Sequence, residues 1–135
     1  MIPDAELTEL FLKNRGTFEM LLQMAAEDNL GSPNNFRVDW GLPRERAEEY
    51  RGLMRKAGVV DFSYPRKDNG LFWVDDQHSA IGGRLKGILY RKEPGSPVRP
   101  SLDVPCLPSA GPDAERCSGV RHIDGNWWLL RVEDR

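Results

Sequence analysis

Histidine is nearly absent from this chain of 135 residues: there are two, His78 and His122. Imidazole is the side chain that titrates near neutral pH and the commonest metal ligand, so acid–base and metal-centred designs have little to draw on. Cysteine is as scarce, with Cys106 and Cys117 alone. Without CxxC spacing they argue against structural zinc, but in an oxidising compartment they would staple a Pro-, Ser- and Gly-rich stretch as a disulfide. No run reaches the roughly 18 apolar residues that a membrane-spanning helix needs. Met1-Ile2-Pro3-Asp4 lacks the basic start and apolar stretch of a secretory leader. As written the chain reads as cytoplasmic, or as periplasmic if a leader was removed. An excess of one charge is missing too. The formal net charge is −2, which offers a polyanion no global attraction, so nucleic acid is not an expected partner. Gly82-Gly83 lacks the spacing of a phosphate loop, and HExxH, GxSxG and Cys–His signatures are absent. No cofactor is expected.

What is present suffices for a core. Hydrophobic residues make up 39% of the chain and charged residues 30%, a balance typical of one folded domain over residues 1–135. Leu7, Leu10, Phe11, Phe18, Leu21, Leu22 and Ala25 recur at helical spacing and predict an amphipathic helix from about Asp4 to Asp28. Asp4 is expected to cap it, Gly16 to mark a bend or close packing, and Asn29 with Gly31 to end it. Phe36 to Trp40 alternates like a short strand. Gly41-Leu42-Pro43 then opens a second helix, with Pro43 at its first position, buried through Ala47, Tyr50, Met54 and Ala57 and ended by Gly58.

From Val59 the period changes to two. Val60, Phe62 and Tyr64 share one strand face, Pro65 to Gly70 reads as a turn with Asn69-Gly70 its strongest local signal, and Leu71-Phe72-Trp73-Val74 reads as a central strand. Asp75-Asp76-Gln77-His78 reads as the next turn, followed by strands over Ser79–Gly82 and Leu85–Arg91. Arg84, Lys86, Arg91, Lys92 and Arg99 read as solvated strand cations. Residues 92–119 are proline-rich and irregular, expected to cross the surface pinned by Leu102, Val104 and Leu107. Asp124-Gly125 closes the last hairpin; with both turn residues at positive φ, Ile123 would pair with Asn126, His122 with Trp127 and Arg121 with Trp128. The predicted class is α+β: two N-terminal helices packed on an antiparallel sheet of about five to seven strands. Both faces of the last hairpin are partly apolar, and helices can roof one side only.

The succession Gly70-Leu71-Phe72-Trp73-Val74, Gly82-Gly83-Arg84-Leu85-Lys86-Gly87, Ser101-Leu102-Asp103 and Arg121-His122-Ile123-Asp124-Gly125-Asn126-Trp127-Trp128-Leu129 resembles a group of small uncharacterised bacterial proteins. Members of that group are often exported or lipid-anchored. The likeness covers the C-terminal half and the two-helix start. Its motifs are turn and strand residues, so it implies a fold and brings no catalytic residues with it.

The functional expectation follows from missing catalytic signatures beside an apolar surface with tryptophans. It is a non-enzymatic protein-binding domain, an immunity or inhibitor protein that neutralises a bacterial toxin or enzyme, with Arg121, His122, Trp127 and Trp128 as partner-binding residues. The partner is expected to be another protein. The alternative is a small metal-dependent hydrolase using Asp75, Asp76 and His78, as carboxylates and an imidazole at a strand end can hold a metal. In its bland reading that cluster is a polar turn. Asp103 reads as capping an irregular loop.

Overall fold

The computed structural model of the chain describes residues 1–31, 41–79, 82–105 and 116–134. Two helices, α1 (Asp4–Glu27) and α2 (Arg44–Ala57), precede five strands: β1 (Asp61–Arg66), β2 (Asn69–Ser79), β3 (Gly82–Tyr90), β4 (Arg116–Asp124) and β5 (Trp127–Asp134). The strands form one antiparallel sheet in the order β1-β2-β3-β5-β4. Short turns join neighbours, whereas the long connection after β3 carries the chain one strand further out. The return strand of the last hairpin fills the gap. The expected α+β class holds, with the helices on one face of the sheet.

The core lies between that face and the helices. Leu7, Phe11, Phe18, Leu21 and Ala25 of α1 and Tyr50 of α2 are fully buried against Phe62, Phe72, Ile88, Trp127 and Leu129. Phe62 stacks on Phe72 at 4.6 Å, Phe18 meets the edge of Phe72 at 5.0 Å, and Phe11 packs on Trp127 at 4.8 Å. Each such side chain contributes about 1.5–3 kcal/mol through burial.

Several local expectations need correction. Pro3 occupies the N-cap of α1 and makes no side-chain capping bond, so Asp4 is the first helical residue rather than the cap; its N–H is taken by Asp103 Oδ1. The bend falls at Asn14 (φ −113°, ψ 17°), not Gly16. Asn14 Nδ2 donates to the Leu10 carbonyl at 2.9 Å, and this side-chain competition for the backbone acceptor distorts the turn. Pro43 is the N-cap of α2 rather than its first residue. Val60 is 60% exposed, one residue ahead of β1.

The first hairpin turns at Lys67-Asp68, before Asn69-Gly70. Asp68 takes the left-handed conformation (φ 62°) and its N–H donates to Tyr64 Oη at 2.9 Å, a conformation that short polar residues tolerate. The Asp75–His78 stretch is strand, not turn: Asp75 pairs with Lys86, Asp76 with Leu85, Gln77 with Arg84 and His78 with Gly83. Backbone pairing continues past the apolar run because the long hairpin satisfies its own N–H and C=O groups. Accordingly β3 is unbroken at Gly82-Gly83. In the last hairpin Gly125-Asn126 forms the turn, with positive φ at Gly125 alone of the two. A bulge between His122 and Asp124 moves the register by one, so His122 faces Trp128 and Arg121 faces Leu129. The strand expected over Phe36 to Trp40 lies outside the described residues.

The connection after β3 is a strap. The Val120 N–H donates to the Pro97 carbonyl (2.9 Å) and the Arg99 N–H to the Val120 carbonyl (2.7 Å), a parallel bridge on the free edge of β4. Beyond that edge the chain turns to the helix side, where Leu102 is fully buried; Val104 is 57% exposed. Leu107 lies outside the described residues.

Candidate functional site

The four residues expected to form one partner-binding patch divide between opposite faces. Trp127 is 3% exposed and sits among Phe11, Phe18, Phe72 and Tyr90, so it is a core residue. Arg121 pairs with Leu129 on the helix side, and its Nη1 reaches Asp4 Oδ2 at 3.1 Å. His122 and Trp128 lie on the other face, their rings edge-on at 4.8 Å. Trp128 Nε1 donates to the Arg91 carbonyl at 3.0 Å, and His122 Nε2 lies 2.8 Å from the Gly125 carbonyl. Adjacent strand positions must split in this way; the bulge before Asp124 decides that His122 shares a face with Trp128 and Arg121 with Trp127.

Of Asp75, Asp76 and His78, the two carboxylates do not converge. Successive strand positions point to opposite faces. Asp75 points to the helix side, where its Oδ2 accepts the Ile2 N–H at 2.5 Å; Asp76 points the other way. The His78 side chain lies outside the described part. In the register His78 stands level with Arg116, six positions along β4 from His122, which is roughly 20 Å. Among the described residues no three His, Cys, Asp or Glu side chains are placed to hold a metal ion. Cys117, on β4, is disulfide-bonded; Cys106 lies outside the described residues.

One cation of the sequence reading is misplaced there. Lys86 is 0% exposed. It occupies the helix-facing row of β3 with Ile88 and Tyr90, an alternation readable in advance. Its Nζ contacts three oxygens: Asp4 Oδ1 at 2.5 Å, the Ile2 carbonyl at 2.8 Å and Asp103 Oδ1 at 3.1 Å. Asp103 Oδ1 also accepts the Asp4 N–H at 2.7 Å, and Asp4 Oδ2 accepts the Leu102 N–H at 2.8 Å. Burial alone would push the Asp4 carboxyl upward. Hydrogen bonds from Lys86, the Leu102 amide and Arg121 outweigh it and hold the group below the ordinary carboxylate value. Arg131, also buried, donates to the Leu102 carbonyl at 2.7 Å and pairs with Glu133. This cluster fastens the first residues and the strap to the sheet. With Lys86 hydrogen-bonded to Ile2 and Asp103 and ion-paired with Asp4, the cluster is built for anchorage.

The helix-free face holds what the sequence did not localise. Leu89, Val120, Leu130 and Val132 are buried there with Leu71, Trp73, Leu85 and Trp128 packed against them, and no helix residue enters this second cluster. The strap covers part of it, with Ser96 Oγ 3.0 Å from Ser118 Oγ. Between strap and β1 a cleft of about 580 Å³ stays open, floored by Leu71, Trp73, Leu89, Leu130 and Val132. Gly87 leaves this face bare between Leu85 and Leu89. A Cβ there would lie 2.1 Å from the Phe72 carbonyl oxygen, so the gap is fixed by the close backbone approach. At one end stand Arg66, Asn69 and Arg91. Arg66 pairs with Asn69, and Arg91 follows Tyr90, the partner of Gly70; the three therefore lie level across the sheet. Among the described residues no acidic side chain lines the cleft.

Among the described residues no helix is long and apolar enough to cross a membrane. No protein-family model, curated protein or solved structure matches the chain.

Proposed function

We propose that this chain is a non-enzymatic binding domain that acts by association, with the helix-free face of the sheet as its working surface. The observation that carries this reading is the open cleft of about 580 Å³ floored by leucines and Trp73. Volumes of this size are typical of ligand sites, which are mostly apolar with a few placed polar groups. The exposed His122–Trp128 corner lies on the same face and extends the surface available to a protein partner. Neutralising a bacterial toxin or enzyme, as expected from the sequence, is one form such association takes. The hydrolase alternative loses ground because Asp75 and Asp76 leave the strand on opposite faces.

The test is capture of partners from the native host with the intact chain and with Leu71→Asp, a half-buried cleft position. Both proteins should show the same far-ultraviolet circular dichroism. A partner held by the intact chain and released by the variant supports the reading. Equal capture by both moves the working surface elsewhere.

A further inference from the structure

The cleft has a direction. Its floor is apolar from Leu71 and Leu89 to Val132, and among the described residues the charged ones lining it are Arg66 and Arg91, level with each other at one end. Neither guanidinium has a carboxylate partner among the described residues. The Arg91 guanidinium packs against Gly95 of the strap, where a Cβ would lie 2.7 Å from Nη1, which holds it at the rim. Along β3 the trough runs from Arg91 to the level of Leu85, the partner of Val132. Those six positions cover about 20 Å, a distance comparable to an extended palmitoyl chain.

Resting on the reading of this face as a binding surface, we infer that the cleft takes a long-chain fatty carboxylate, its head between Arg66 and Arg91 and its acyl tail along Trp73, Leu130 and Val132. Charge complementarity selects an anion, since among the described residues two guanidiniums without carboxylate partners face a lining without acids. Guanidinium matches carboxylate geometry through paired N–H donors. The floor selects the tail. A polypeptide laid there would desolvate its N–H and C=O groups over side chains that return no hydrogen bonds. An acyl chain has no such groups to satisfy.

Palmitate is titrated into the intact protein below its micelle concentration, following tryptophan fluorescence, because Trp73 lines the trough. A saturable change at one molecule per chain is expected. Arg66→Gln combined with Arg91→Gln should weaken it on the order of tenfold to a hundredfold with an unchanged melting temperature, as neither guanidinium has a carboxylate partner among the described residues. Dodecyltrimethylammonium, an apolar cation, should not compete. No saturable binding of palmitate overturns the inference, as does binding that the double variant leaves unchanged or that the cation displaces equally. A synthetic acidic, leucine-rich peptide that displaces palmitate and binds more tightly overturns it in favour of a polypeptide occupant. If palmitate fails while the Leu71→Asp variant still loses a captured partner, the acyl assignment falls and the binding-domain reading stands.

Discussion

At the scale of single residues, Lys86 and Asp4 form a buried ion pair. Removing Lys86 leaves the buried Asp4 carboxyl with Arg121 and the Leu102 amide in a poorly solvated place. Lys86→Met should therefore destabilise the protein by about 3–5 kcal/mol, read as a lower urea midpoint at unchanged slope. The Asp4 carboxyl is held below its unfolded value. Its contribution is thus fully present above the unfolded pKa near 4 and disappears as pH falls through that value toward the folded one. Urea midpoints measured from pH 6 down to pH 2 should drop more steeply for the natural chain than for Asp4→Asn, which keeps an acceptor for the Leu102 amide without a titrating charge. Lys86 was legible in principle. It alternates with Ile88 and Tyr90, yet charge was allowed to outweigh period. Its carboxylate partners are 82 and 17 positions distant, and no local pattern signals them.

Among elements, the helices and the first strands follow from apolar period and punctuation. Turn placement does not, because neighbouring turn residues compete. Within the turn expected over Pro65 to Gly70, the reversal falls at Lys67-Asp68, with Asp68 left-handed, rather than at the stronger Asn69-Gly70 signal; Asp124-Gly125 reads as a two-residue turn, yet the turn lies one residue on, at Gly125-Asn126, with a bulge between His122 and Asp124. A single-residue slip sends each side chain to the opposite face, which is why Arg121 and His122 exchanged sides relative to expectation. The junction of the helices rests on Asp28 at the end of α1. Arg46 Nε approaches its Oδ2 at 2.7 Å, and Tyr50 Oη donates to the same oxygen at 2.6 Å. Burial would raise this carboxyl too, but those two donors bring it below the ordinary value; burial and then the Asp28 hydrogen bond push the Tyr50 phenol well upward. A carboxylate at a helix C-terminus opposes the helix dipole, so the donors from α2 are what make it tolerable. Tyr50→Phe should cost about 1.5 kcal/mol in thermal or urea unfolding while leaving the helical circular dichroism intact.

For the whole molecule, the sheet separates a roofed face from an open one. Phe72, on the roofed face, is fully buried among aromatic rings; Phe72→Ala should cost about 3–5 kcal/mol. Its neighbour Leu71, on the open face, is half-buried in the cleft lining, and Leu71→Ser should cost less than about 1 kcal/mol. Paired urea titrations measure both, and comparable losses would mean that the second face is as integral to the core as the first. The fold class was readable because period two and period 3.6 are local properties. The cleft was not, because it arises from strand order, from the strap passing the β4 edge, and from the bare spot at Gly87.

The fastening around Lys86 also bears on the order of events during folding. It joins Ile2 and Asp4 to Asp75, Lys86, Asp103 and Arg121, closing loops of up to 117 residues. Contacts between such distant parts of the chain carry the greatest closure entropy and form after local hairpins. The start of the chain is therefore a late-closing clasp, which governs how fast the native state opens more than how fast it is reached.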